Sequence, residues 1–357
     1  MQVHLPSEGL PDVSCLSRVF GNRTASYKFY WFISIVDWVC RCPDRMRFSF
    51  AEIVAGMLSE AWYPVHYFRL SFGKSDKLQT HILEIQQLLN IPIKANKQDV
   101  REAVLNNIEM AEVRKMIDQL TQNVPYWFLS PWIPGETQVS AVERKSRIYY
   151  NWCPYAIFGK EIEVDPVWTQ YILRNAVILR DFAFWNLTEF LQTRNPNVPD
   201  IPSKLVKPIG RHSLPKQHHY WDYYLEERGG MPCIYTGKIL KPGQYDLDHF
   251  IPWSFVVHDM LWNLLPADPS INSSKSDNIP PLERFLGPMA AAQQNALRLN
   301  FKRNASDKLL EDYLVFRCSI EELVDVPAET FLELYKNEFT PMAQTAINMG
   351  FSPWINA

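Results

Sequence analysis

The sequence predicts an α+β protein, mostly α-helical, on three observations. Apolar residues recur at helical spacing, with capping signals, through most of residues 1–200. β-forming runs separated by turn residues gather in one stretch after residue 230, with a single earlier pair near 155–164. A junction at 195–202, with three prolines, separates the two textures, so the expected domains are residues 1–200 and 203–357.

Taken in order, residues 1–22 hold prolines, glycines and polar groups without period and read as a lead-in. Residues 27–39 form an aromatic helix that Pro43-Asp44 ends. Ser49 and Glu52 make a capping box, opening a helix expected to stop near Trp62, before Pro64. The aromatic cluster Trp62, Tyr63, His66, Tyr67, Phe68 and Phe72 reads as core, with base stacking as the alternative. Helices follow at 77–90, 98–108 and 110–120, with Arg101, Glu102, Arg114 and Lys115 on solvated faces. Residues 137–147 read as an exposed loop, and 155–164 as a strand pair turning at Gly159-Lys160. Asp165-Pro166, a cap followed by a proline at the first helical position, opens a long helix to about 193.

Past the junction, residues 203–220 hold Lys204, Lys207, Arg211 and Lys216, three histidines and no acidic residue. In a chain of net charge −3 this is the best candidate for tracking nucleic-acid phosphates, with a solvated linker as the alternative. A helix at 217–228, closed by Gly229-Gly230, leads into the stretch 231–280. Strands are expected at 233–236 and 245–251, with Gly237 and Pro242-Gly243 turning between them. Asp268-Pro269 then caps a short helix. Helices at 289–316 and 320–337 and a last turn near 340–350 are expected to pack on this small module, and Arg298, Lys302 and Arg303 to extend its basic face.

The residues at the centre of 231–280 suit hydrolysis of a phosphodiester. That reaction needs a base to take a proton from water and a cation to neutralise charge on the phosphate and the departing oxygen. His249 suits the base, because an imidazole ordinarily titrates near neutral pH. Asp248, beside it on an extended segment, points to the opposite side and can serve another partner. Asp248 and the side-chain carbonyl of Asn272 are oxygen ligands for a hard cation. Lys275 shares a helical face with Asn272.

These residues stand in a recognisable frame. The segment resembles the HNH, or ββα-metal, nucleases, and most closely the HNH domain of RNA-guided CRISPR effector nucleases. It carries the same opening, Tyr245-Asp246-x-Asp248-His249-x-x-Pro252-x-Ser254-Phe255, and the same close, Lys275-Ser276-Asp277-Asn278-x-Pro280. The spacings from His249 to Asn263 and Asn272 match as well. The likeness covers residues 231–280, and the rest of those large effectors has no counterpart here. It implies a ββα core at 231–280 in which His249 is the general base and Asp248 and Asn272 bind the metal. It further implies that Asn263 ties the loop that holds His249, that Mg2+ is the cofactor with Mn2+ as substitute, and that DNA is cut to 5′-phosphate ends. Lys275 is expected to neutralise a neighbouring phosphate.

Composition narrows the class. Hydrophobic residues make up 47% and charged ones 21%, the balance of a folded soluble protein. The six cysteines form no Cys-x-x-Cys pair, so no structural zinc is expected, and they read as reduced thiols of a cytoplasmic protein. The longest apolar run, 29–39, is interrupted by Asp37 and spans about half of the ~20 residues a membrane helix needs. No membrane partner is expected. The function read from the sequence is a metal-dependent HNH endonuclease acting on DNA in a defence or mobile-element setting. A non-catalytic nucleic-acid-binding module with the same fold and an RNA-directed nuclease are the alternatives. Partners besides DNA are a regulatory protein or a second copy of the chain.

Overall fold

A computed structural model describes residues 5–7, 13–207 and 213–355. The chain divides into two compact units, Met1–Pro196 with Ile201–Lys207, and Asn197–Asp200 with Pro208–Ala357. Residues 203–207, expected with the nuclease module, group with the first unit, in which Ile201, Lys204 and Leu205 are buried.

The first unit begins with helices α1 (Ser14–Arg18), α2 (Tyr27–Arg41), α3 (Phe50–His66), α4 (Lys77–Leu88) and α5 (Lys97–Leu105). It continues with α6 (Ala111–Thr121), α7 (Val124–Trp127), α8 (Val139–Ile148) and α9 (Pro166–Gln192). A small antiparallel sheet runs in the order β1 (Arg47–Ser49), β3 (Glu161–Val164), β2 (Tyr155–Phe158). Both expected caps form: Ser49 and Glu52 satisfy each other's backbone at the start of α3, and Asp165 accepts from the Val167 and Trp168 N–H groups ahead of α9. The core lies where α2 packs on α3 and α9, and Trp31 reaches from it to donate to the Tyr155 hydroxyl at 3.1 Å.

Three expectations change here. Helix α3 runs through Pro64 to His66, its last turn carried past the proline with Pro64 and Val65 buried. The expected loop at 137–147 is largely helix α8, docked on β2 by Ser146, which accepts from Ile157 N–H, and by Arg147, which donates to Ile157 O. Arg101, expected on a solvated face, is 1% exposed. Its Nη2 lies 2.7 Å from Asp37 and 3.5 Å from Glu60, whose carboxylate also takes Lys97 at 2.7 Å and Arg180 at 3.3 Å. A buried carboxylate is tolerable only among such partners, and the pairing is what draws Arg101 inward.

The second unit opens with α10 (Pro215–Arg228), then β4 (Met231–Pro232), β5 (Ile239–Leu240) and β6 (Asp246–His249). After α11 (Trp253–Val256) come β7 (Leu264–Ala267), α12 (Pro269–Lys275), α13 (Leu282–Arg303), α14 (Ile320–Asp325) and α15 (Ala328–Asn348). Gly229 at φ +69° closes α10, and Gly230 passes so close to β5 that a Cβ there would stand 2.9 Å from the Leu240 carbonyl oxygen.

The strand pairing differs from the expectation. β6 pairs not with residues 233–236 but with β7, in the register Asp248 opposite Leu265 and His249 opposite Leu264. β7 is buried at every position, so it shows no alternation, and its Pro266 argues locally against a strand. Residues 233–236 instead make the turn between β4 and β5.

The long C-terminal helices cover this small sheet. Phe339 of α15 packs edge-on against Phe250 and Trp262. Gln293 of α13, fully buried, donates to the carbonyls of Leu261 and Leu264 at 2.9 and 2.7 Å and accepts from the Tyr313 hydroxyl at 2.5 Å. Residues 352–354 run beside Ile279, with Trp354 N–H donating to its carbonyl at 2.8 Å.

Candidate active site

Asp248 and His249 end β6 as neighbours on an extended strand, and their side chains take different partners. Asp248, 2% exposed, accepts a hydrogen bond on one oxygen from the Tyr235 hydroxyl at 2.7 Å. Its other oxygen lies 3.0 Å from the Lys275 ammonium at the end of α12. Burial, then the adjacent Asp248 charge, holds the Tyr235 phenol well above its ordinary value, so Tyr235 keeps its proton and donates it. Phe285 and Trp354 pack edge-on against the Tyr235 ring, which brings the C-terminal residues to bear on the site.

His249, 8% exposed, places Nε2 2.9 Å from an Asp259 carboxylate oxygen. Its Nδ1 has no hydrogen-bond partner among the described residues. Its backbone carbonyl takes the Lys275 ammonium at 2.6 Å. Lys275 is fully buried and spans Asp248 and His249, so its charge faces the strand and not a neighbouring phosphate as expected. An ammonium cannot be left alone in the interior, and the Asp248 carboxylate is the group that accommodates it.

Asn263, expected to tie the loop that holds His249, is fully buried between β6 and β7. Its amide donates to the Ile251 carbonyl at 2.9 Å and its side-chain oxygen accepts from the Ile251 N–H at 2.8 Å. Its own carbonyl receives the Phe250 N–H. The side chain thus clamps Ile251, and the backbone carbonyl holds Phe250, in a place with no access to water. Replacing Asn263 with Ala orphans two buried backbone groups, at about 1–3 kcal/mol each. A drop of that size in urea-unfolding free energy, smaller for Asn263→Asp because the acceptor remains, is the expected measurement.

Asn272 sits on α12, which Asp268 caps through the Ser270 N–H. The Lys238 ammonium, then the Ser270 hydroxyl, hold the Asp268 carboxyl down to about 2. The Asn272 side-chain amide is half-buried and has no hydrogen-bond partner among the described residues.

The donor set suits a hard cation that keeps much of its water. Each oxygen of Asp248 accepts one hydrogen bond and retains a second acceptor position, and the Asn272 amide oxygen is uncommitted. One carboxylate and one amide, completed by water and a phosphate oxygen, is the kind of set Mg2+ accepts. No cluster of three or more His, Cys, Asp or Glu able to hold a metal ion occurs among the described residues.

The basic residues are divided between the two units. Lys204 is fully buried in the first unit, so its ammonium does not lie on a surface track; the apolar packing of Ile201 and Leu205 takes it inside. Lys207 is exposed in that same unit, its ammonium over the Tyr63 ring. Arg211 lies outside the described residues. Lys216 is exposed in the first turn of α10 in the second unit. Arg298 is spent on the Val324 and Val326 carbonyls, while Arg303 stands over Tyr223 and 3.2 Å from His219.

With this geometry in place, the comparison with known families is specific. Residues 233–281 match the family model described as HNH endonuclease. The match spans β5 to β7 and α12 and contains Tyr235, Asp248, His249, Asp259, Asn263, Asn272 and Lys275. It carries nuclease activity as the general chemistry and nucleic acid as the general substrate. No curated protein and no solved structure matches the chain. Among the described residues, no helix is long and apolar enough to cross a membrane.

Two residues of the site escaped the sequence reading. Tyr235 lies in the turn between β4 and β5 and Asp259 in the loop between β6 and β7, ten residues past His249; neither has a local pattern.

Proposed function

We propose that the second unit is a metal-dependent endonuclease that hydrolyses DNA. The observation that carries this reading is a histidine with one ring nitrogen held by a carboxylate and the other uncommitted, next in the strand to a buried aspartate on which Lys275 docks the helix that bears Asn272. His249 Nδ1 accepts the proton of water as its oxygen attacks phosphorus. The bond to the 3′ oxygen breaks, leaving a 5′-phosphate end. Asp248 and Asn272 would hold Mg2+, or Mn2+ in its place, to stabilise the charge on the phosphate and the departing oxygen.

Substrate selection lies outside this module, which contacts backbone more than bases. Lys216 and Lys207 are the exposed lysines assigned to phosphates, and Gln217, beside Lys216, donates to the Asp259 carbonyl at 3.1 Å, which sets the start of α10 next to the catalytic loop. The spacing shared with RNA-guided effectors, and the damage an unrestrained nuclease would do to its host, support a defence or mobile-element role in the cytoplasm. Restraint then comes from the first unit, a regulatory protein or a second copy of the chain.

The buried Lys275 ammonium on Asp248 favours a second reading, in which the carboxylate is already neutralised and the module only binds nucleic acid. Supercoiled plasmid separates the two. Nicking in Mg2+ or Mn2+ that EDTA stops is the expected result; intact plasmid in every metal would leave the binding module or a nuclease held silent until its partner is supplied. RNA of the same sequence, assayed in parallel, should be left uncut.

A further inference from the structure

The site contains a carboxylate with no part in the chemistry so far. Asp259 lies 2.9 Å from His249 Nε2 through one of its oxygens. A neutral imidazole carries hydrogen on one nitrogen and a lone pair on the other, and an ionised carboxylate only accepts. The bond therefore requires hydrogen on Nε2 and leaves the lone pair on Nδ1. We propose that Asp259 is the positioning residue of the active site, fixing the orientation and tautomer of His249 so that Nδ1 faces the attacking water. The proposal rests on the reading of His249 as the base.

The loop that presents Asp259 is anchored on both sides. Gln217 of α10 donates to its carbonyl at 3.1 Å. Two residues on, Leu261 N–H donates to Asp312 at 2.8 Å, and the Leu261 carbonyl receives the buried Gln293 amide. Val257 just before it sits at φ +59°, a conformation that a β-branched residue adopts only where its surroundings impose it. Asn263 fixes the backbone after His249 from the other direction. The ring is thus gripped from the strand, by the clamp on Ile251, and from its far nitrogen, by Asp259. This is the arrangement by which a carboxylate commonly orients a catalytic histidine.

The test uses the full chain labelled with 15N, in the forms native, Asp259→Asn, Asp259→Ala and Asp259→Glu. The His249 ring signals of the native protein should show hydrogen on Nε2 alone. Asp259→Asn, nearly isosteric but able to donate, should give the other tautomer or a mixture. With saturating plasmid and metal, Asp259→Ala should lose roughly 10²-fold in kcat. KM should stay within about twofold, since the residue holds the base and not the DNA. Asp259→Glu should recover part of the loss. A native ring with hydrogen on Nδ1, or a ring spectrum unchanged in Asp259→Asn, would overturn the proposal, as would unchanged kcat in Asp259→Ala. If the native protein cuts in no metal, the reading of His249 as base is left without support, and the ring spectra alone then decide whether Asp259 sets the tautomer.

Discussion

His249→Ala should lower metal-dependent plasmid cleavage by about 10²–10⁴-fold, the usual contribution of a positioned general base. Binding to the same DNA, followed by fluorescence anisotropy, should stay within about twofold, because the ring contacts the water and not the phosphates. The variant should fold. Asp248 keeps both Tyr235 and Lys275, the β6–β7 pairing is made by backbone, and Asn263 still clamps Ile251. Asp259 loses one contact, the His249 ring, and its carboxylate is partly solvent-exposed. A purified variant that cuts as fast as the native protein would sink the assignment of His249, whatever the fate of the fold. A variant that loses cleavage and binding together would instead place His249 in DNA contact.

What could be read from the sequence divides by how local its cause is. The caps at Ser49, Asp165 and Asp268 and the closing turn at Gly229 were legible because each depends on residues within four positions. Asp248, His249 and Asn263 stand out as a spaced pattern in the sequence, and in the structure Asn263 bonds the Ile251 backbone. The partner of β6 was not legible: an all-buried strand with a proline looks like loop, and pairing across fifteen residues leaves no mark in either segment. Charge was the least legible property. Arg101, Lys204 and Lys275 read as solvated or phosphate-facing, yet all three are buried, Arg101 and Lys275 against carboxylates from other elements. A lysine written in a polar stretch shows its sign but not its direction, which is set by where a distant acid happens to be packed.

Lys275→Met should therefore act first on stability and only then on cleavage. The substitution keeps the volume of the stem and removes the charge that compensates Asp248 at 3.0 Å, leaving a carboxylate in a place 2% exposed to water. Breaking a buried pair from one side costs about 3–5 kcal/mol. The His249 carbonyl loses its donor as well. For a unit of this size that corresponds to a fall of roughly 6–20 °C in the unfolding midpoint in EDTA. Mg2+ should restore part of the fall, because a cation that binds the folded state at the vacated carboxylate stabilises it by mass action. The native protein, whose carboxylate is already paired, should respond less to the same Mg2+. An unchanged midpoint in EDTA would mean that the Asp248–Lys275 pair is not what holds α12 against β6. A fall that Mg2+ leaves untouched would remove Asp248 from the metal site, and with it the strongest argument that this strand end is built to receive an ion.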